Sequence, residues 1–166
     1  MIKRYLAALV FPVILAGCAC SSDADNTAAS ASVDAATLTR YSWRLQDAKN
    51  ARDARIDQLF VQPDKLVLLD FGKERFRVRN TCNMMSGPYS VSDGQINFGM
   101  MASTRMMCLD GNIAALDGEV ASRLKGNTSY RITFGTHPVL TLITADGDTL
   151  GFIGSEAAKQ PAAPKR

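Results

Sequence analysis

Through most of the middle of the chain, hydrophobic and polar residues alternate with a period of two. Tyr41, Trp43 and Leu45 are separated by Ser42, Arg44 and Gln46; Phe76 and Val78 stand between Arg75, Arg77 and Arg79; Tyr130, Ile132 and Phe134 enclose Arg131 and Thr133. Successive side chains on a strand point to opposite faces, so each stretch predicts a strand with one buried face. From Lys65 to Phe71 the apolar residues run almost without interruption, which predicts a strand covered on both faces or tightly curved. Two pairs of runs are joined by Asp-Gly: 88–91 with 95–98 around Asp93-Gly94, and 139–144 with 149–153 around Asp146-Gly147. Asp-Gly supplies the positive φ angles of tight hairpin turns, so both pairs predict antiparallel hairpins.

One segment has the period of a helix. Ile113, Leu116, Val120 and Leu124 share a face, Asp110 or Asn112 can cap the start, and Gly126 stands where a left-handed residue ends a helix, which predicts an amphipathic helix over about 111–125. Strands with one apolar face bury it by curling into a barrel or by packing on a helix. The expected fold class is therefore α+β and mostly antiparallel β: a small, cracked or partly open barrel-like sheet with one inserted helix over its seam.

The N-terminus follows a different pattern. Lys3 and Arg4 precede the apolar run Tyr5 to Ile14 and then Leu15-Ala16-Gly17-Cys18, the layout of an export signal. The run is too short to cross roughly 30 Å of hydrocarbon. Leu-Ala-Gly-Cys also resembles the lipobox of bacterial lipoproteins, which implies signal peptidase II cleavage between Gly17 and Cys18 and acylation of Cys18. Several acyl chains anchor a protein stably where one does so marginally. Ala19 after the cysteine, by analogy with lipoprotein sorting, implies the outer membrane, with the protein facing the periplasm.

These signals divide the chain into a signal peptide (1–17), a lipidated cysteine and tether (18–37), one domain (38–154) and a tail (155–166). The tether is mostly Ala, Ser, Asp and Thr, and the tail contains Pro161 and Pro164; neither has enough apolar surface to offset the entropy of ordering. Loss of Lys3 and Arg4 lowers the formal charge by two, from +3 to +1. A nearly neutral exported chain without clustered Lys/Arg and interleaved aromatics does not fit nucleic acid; a monomer is expected.

Candidate chemistry concentrates between Asn80 and Cys108. Cys82 and Cys108 fit a disulfide in an oxidising compartment, closing a loop of about 27 residues; two buried thiols or half a metal site are the alternatives. Cys20 is left as an exposed thiol. Met84, Met85, Met100, Met101, Met106 and Met107 supply soft thioethers that suit Cu(I), but neighbours on a strand face opposite ways. Core packing is thus the expectation, with copper binding and sacrificial oxidation as alternatives. Arg105 lies inside this apolar stretch and is expected to be buried and paired, or else to bind an anion or a partner. His137 lies in a loop without a predictable orienting group, which does not fit nucleophilic catalysis. Asp146 and Asp148 fit a turn better than a calcium loop.

At Cys82-Asn83, Gly87, the Asp93-Gly94 hairpin and Ala102-Ser103-Thr104-Arg105-Met106-Met107-Cys108, the chain resembles the META domain family, which includes HslJ-like heat-shock lipoproteins. Leu140-Thr141-Leu142 and Thr149-Leu150-Gly151-Phe152 match its closing strands. The likeness spans about Thr39 to Ile153, with Thr81 where a glycine often precedes Cys-Asn. It implies a small β-rich fold similar to that of pilot lipoproteins of secretion systems, no enzyme activity and no cofactor. The resulting expectation is a non-catalytic, outer-membrane-anchored lipoprotein acting by binding in envelope maintenance or stress tolerance, its ligand an envelope protein or a lipid. A pilotin-like module holding a lipid or a partner's tail is the alternative, and a Cu(I)-binding or redox-buffering protein is a further one.

Overall fold

The computed structural model describes residues 35–156. The signal peptide, Cys18, Cys20, most of the tether and nearly all of the expected tail lie outside the described residues. Among the described residues no helix is long and apolar enough to cross a membrane.

A helical turn, α1 (35–40), leads into β1 (Tyr41–Lys49). A 3-10 turn (Asp57–Leu59) precedes β2 (Leu68–Phe71), β3 (Arg75–Arg79), β4 (Met85–Ser92), β5 (Gln95–Phe98) and the short β6 (Ala102–Ser103). Then come α2 (Gly111–Arg123), β7 (Gly126–Thr133), β8 (Val139–Ile143) and β9 (Thr149–Glu156). Neighbouring strands follow the order β3-β2-β1-β9-β8-β7-β5-β4, and β4 pairs again with β3 from Arg75↔Pro88 to Val78↔Met85. Eight antiparallel strands thus close on themselves. The barrel-like α+β architecture is as expected; the seam is closed by strand pairing, where a crack under the helix was expected.

The turns behave as their residues dictate. Asp93 and Gly94 both take positive φ (50° and 71°) between Ser92 and Gln95, the last pair of the β4–β5 ladder. Asp110 caps α2, its carboxylate accepting from Asn112 N (2.8 Å) and Ile113 N (3.4 Å), and Gly126 after the helix has φ 60°. An Asp cap is worth about 1 kcal/mol.

The interior is filled by large side chains. Trp43, Phe76, Leu69, Ile96, Leu140 and Leu142 are fully buried, and Phe76 meets Phe98 edge to face at 4.9 Å. Leu116 and Val120 of α2 and Leu124 just after it are buried too, each worth about 1.5–3 kcal/mol relative to exposure. Val120 and Leu124 close over Leu45, Leu69, Leu150 and Phe152, leaving a cavity of ≈ 10 Å³. The helix thus covers the barrel interior.

Three expectations are corrected. The run Lys65 to Phe71 is a strand only over Leu68–Phe71, and burial alternates along it, because its outer side faces away from the barrel. The register sets Leu68 between Arg44 and Arg79, whose methylene stems can shield it. Phe134 lies beyond the end of β7 and is exposed. Ser155 and Glu156, placed in the tail, extend β9 and pair with Ser42 and Tyr41.

Candidate functional site

The corner between β3 and α2 is organised by one asparagine. β3 ends at Arg79, and Asn80 turns the chain at φ 63°, a conformation Asn tolerates better than most residues; its Nδ2 donates to Leu66 O at 2.9 Å. Cys82 then bridges to Cys108, Cα atoms 6.0 Å apart. The bridged sulfurs are not thiolate ligands, so the buried-thiol and metal readings of this pair are set aside. Asn83 Oδ1 accepts from Met106 N (2.6 Å) and from Thr104 Oγ1 (3.0 Å), and its Nδ2 donates to Asp117 Oδ2 (2.8 Å). Its backbone N–H reaches the same carboxylate at 3.1 Å. Thr104 and Met84 exchange two further bonds, both 3.1 Å. The β3–β4 connection, the loop before α2 and α2 itself are thereby tied together.

β6 continues the line of β5 along β4, pairing Met85 with Ser103 and Ser86 with Ala102. Gly87 lies where the chains press close together. A Cβ there would lie 2.9 Å from Phe76 Cε1 and 3.0 Å from Met100 O. Cys82, Asn83, Gly87, Ser103, Thr104 and Met106, singled out in the sequence, thus belong to one corner.

The methionines do not fill the core. Met85 is buried and Met101 partly so, but Met84, Met100, Met106 and Met107 are exposed, Met100 and Met107 at 91%. Phe71, Phe76 and Phe98 already occupy the interior, and of the 99–109 methionines only Met101 packs against the core. Leu109 is 99% exposed. Arg105 is exposed as well, and among the described contacts its guanidinium has no partner; its expected burial is corrected. The paired, sheltered arginine is Arg123, with 17% of its side chain exposed, bonded to Glu119 at 2.8 Å and Asp148 at 2.9 Å. No short-range motif marks the Asn83–Asp117 or Arg123–Asp148 contact, whose partners lie 34 and 25 residues apart in sequence.

The other candidates stay apart. His137 is in the exposed loop before β8, and Asp148 serves Arg123 beside the Asp146-Gly147 turn. Among the described residues no three His, Cys, Asp or Glu side chains are placed to hold a metal ion. An open groove of ≈ 500 Å³ at the β2–β3 turn is lined by Lys73, Arg75 and Arg77 together with Asp70 and Glu74, charges of both signs. Beside it, the hydrogen bond to Asp70 raises the Arg79 pKa above its ordinary value. Burial raises that of Tyr89, whose hydroxyl donates to Gly72 O at 2.7 Å.

Comparison with known proteins places this corner in context. The META domain family matches residues 36–157. Heat shock protein HslJ of Escherichia coli (strain K12) is 31% identical over 77 residues, 46% of this chain and 53% of that protein; the chain therefore spans about half the length of this curated relative. An NMR structure of a protein from Burkholderia xenovorans has the same fold, with TM-score 0.61 and 22% identity over 93% of this chain and 99% of that one. A second NMR structure gives TM-score 0.50 at 22% identity, covering 72% of this chain and 92% of the other. With a match that runs from α1 through β9, the chain belongs to the META domain family.

Proposed function

We propose that this META domain is carried by a lipoprotein anchored at Cys18 in the outer membrane, facing the periplasm, and that it acts without catalysis, by binding an envelope protein, in envelope maintenance or stress tolerance. The observation that carries the binding reading is the 99–109 loop. It presents Met100, Met106, Met107 and Leu109 to solvent beside the exposed Arg105, and it is fixed by a disulfide and the Asn83 hydrogen bonds. Methionine and arginine are enriched at the cores of protein interfaces, and methionine adapts to varied partners. Pre-ordering such a loop lowers the entropy cost of association. Anchoring is supported by Leu15-Ala16-Gly17-Cys18.

The pilotin-like alternative requires room inside the barrel. Ligand pockets run to roughly 300–1,000 Å³, and the cavity beneath α2 is ≈ 10 Å³, about one water at most. The exposed loop therefore supports the proposal better than the interior does.

Photo-crosslinking tests the binding site. A crosslinking residue at Met107 or Leu109 is expected to capture one discrete envelope protein, and one at Thr141, on the outer side of β8, is not. Equal capture from all three positions, or from none, overturns the reading. Membrane fractionation of Cys18→Ser tests the anchor separately: the protein is expected to leave the membrane fraction, and unchanged fractionation overturns it.

A further inference from the structure

We infer that the 99–109 loop is a site of methionine oxidation: Met100, Met106 and Met107, with Met84 beside them, take up two-electron oxidants of the hypochlorous acid class before the core is damaged. This stands without the binding reading, since it needs only exposed thioethers and a fold that does not depend on them.

Exposure separates the methionines, with the partly buried Met101 between the extremes. Met100 and Met107 are 91% exposed, Met106 67% and Met84 55%, while Met85 is 2%. Oxidation of a thioether follows access of the oxidant to sulfur, so the loop reacts first and Met85 last. The fold is indifferent to the reaction. Every described bond that holds the loop uses backbone, Asn83, Thr104 or the disulfide: Gly99 N to Pro88 O, Thr104 N to Met84 O, Met106 N to Asn83 Oδ1 and the Cys82–Cys108 bridge. Methionine sulfur takes part in none of them. A sulfoxide on an exposed side chain is solvated, whereas one at Met85, buried and paired across the ladder with the buried Val78, would place an unsolvated polar group in the core.

The step balances. The sulfur lone pair takes the electrophilic chlorine and hydroxide leaves; water then displaces chloride at sulfur, leaving sulfoxide, chloride and one net proton. Sulfur loses two electrons and chlorine gains them. A methionine sulfoxide reductase returns the thioether at the expense of two thiols, which become a disulfide, with release of water.

The test uses full-chain protein with Cys18→Ser and Cys20→Ser, so that free thiols do not consume the oxidant, and titrates it with hypochlorous acid. Peptide mass spectrometry is expected to show gains of about 16 Da per sulfoxide at Met100, Met106 and Met107, at least about tenfold ahead of Met85, with the thermal midpoint unchanged. Sulfoxide reductase is expected to reverse the gains. In Met100→Leu/Met106→Leu/Met107→Leu protein, Met85 oxidation and loss of cooperative unfolding are expected at fewer oxidant equivalents. If Met85 reacts together with the loop, if unfolding accompanies the first sulfoxides, or if the triple variant resists as well as its parent, the inference is overturned.

Discussion

Breaking the Cys82–Cys108 bridge tests how the corner is held. The cysteines are 26 residues apart in sequence, and the chain-entropy relation gives roughly 3.5 kcal/mol for a closed loop of that size. In a folded unit of this length that corresponds to roughly 10–15 °C in thermal midpoint. The measurement is thermal and urea unfolding of the Cys18→Ser/Cys20→Ser protein with and without reductant, paired with Cys82→Ser/Cys108→Ser. The Asn83 bonds hold the same loop to α2, so Asn83→Ala, expected to cost about 2 kcal/mol on its own, should be non-additive with bridge removal. A midpoint shift below about 3 °C on reduction would mean that the reduced, unfolded chain is already as confined as the bridged one, and would refute the entropic reasoning. Additivity of the two changes would refute the shared role of bridge and asparagine.

Gly87→Ala sets a Cβ 2.9 Å from the fully buried Phe76 ring, which Phe98 hinders from moving; a loss of about 1–3 kcal/mol, read as a lower urea midpoint at unchanged slope, is expected. Gly118→Ala, exposed in mid-α2 with nothing within 4 Å of the new Cβ, is expected to stabilise by about 0.5–1 kcal/mol in the same assay. Burial raises the Tyr89 pKa, so the folded state keeps that proton longer than the unfolded chain does. Its stabilising contribution is complete below the ordinary tyrosine value of about 10 and fades as pH rises through the folded value; ultraviolet titration of parent against Tyr89→Phe should show one late-ionising phenol, and a stability loss that the variant lacks.

What could be read from the sequence was what depends on near neighbours. Asp93-Gly94 fixes its turn by backbone preference, and Asp110 caps α2 through bonds two and three residues away; both were visible as short motifs. Barrel closure was not, because the β1–β9 pairing joins the two ends of the domain and the β5–β7 pairing spans α2. The methionines show the same limit. An apolar composition suggested burial, yet whether a side chain is buried depends on the space left by others, and Phe71, Phe76 and Phe98 had filled it. Arg105 was misread for the same reason, and Arg123 was missed because Asp148 approaches it only once β8 and β9 have folded back.

The corner is therefore held more firmly than the barrel needs. Eight mutually paired strands and a filled interior define the fold without the 99–109 loop, and exposing Met100, Met107 and Leu109 gains nothing from the hydrophobic effect. Ordering a backbone costs about 1–2 kcal/mol per residue, so a loop whose apolar contact with the core is limited to the partly buried Met101 would ordinarily stay mobile. Here a bridge, an asparagine with bonds to Thr104, Met106 and Asp117, and a short strand against β4 offset that cost. Interactions of this kind fix the direction in which exposed side chains point. A structural staple and a presented surface are then two aspects of one segment, with the cysteines and Asn83 turned to the fold and the methionines and Arg105 turned outward.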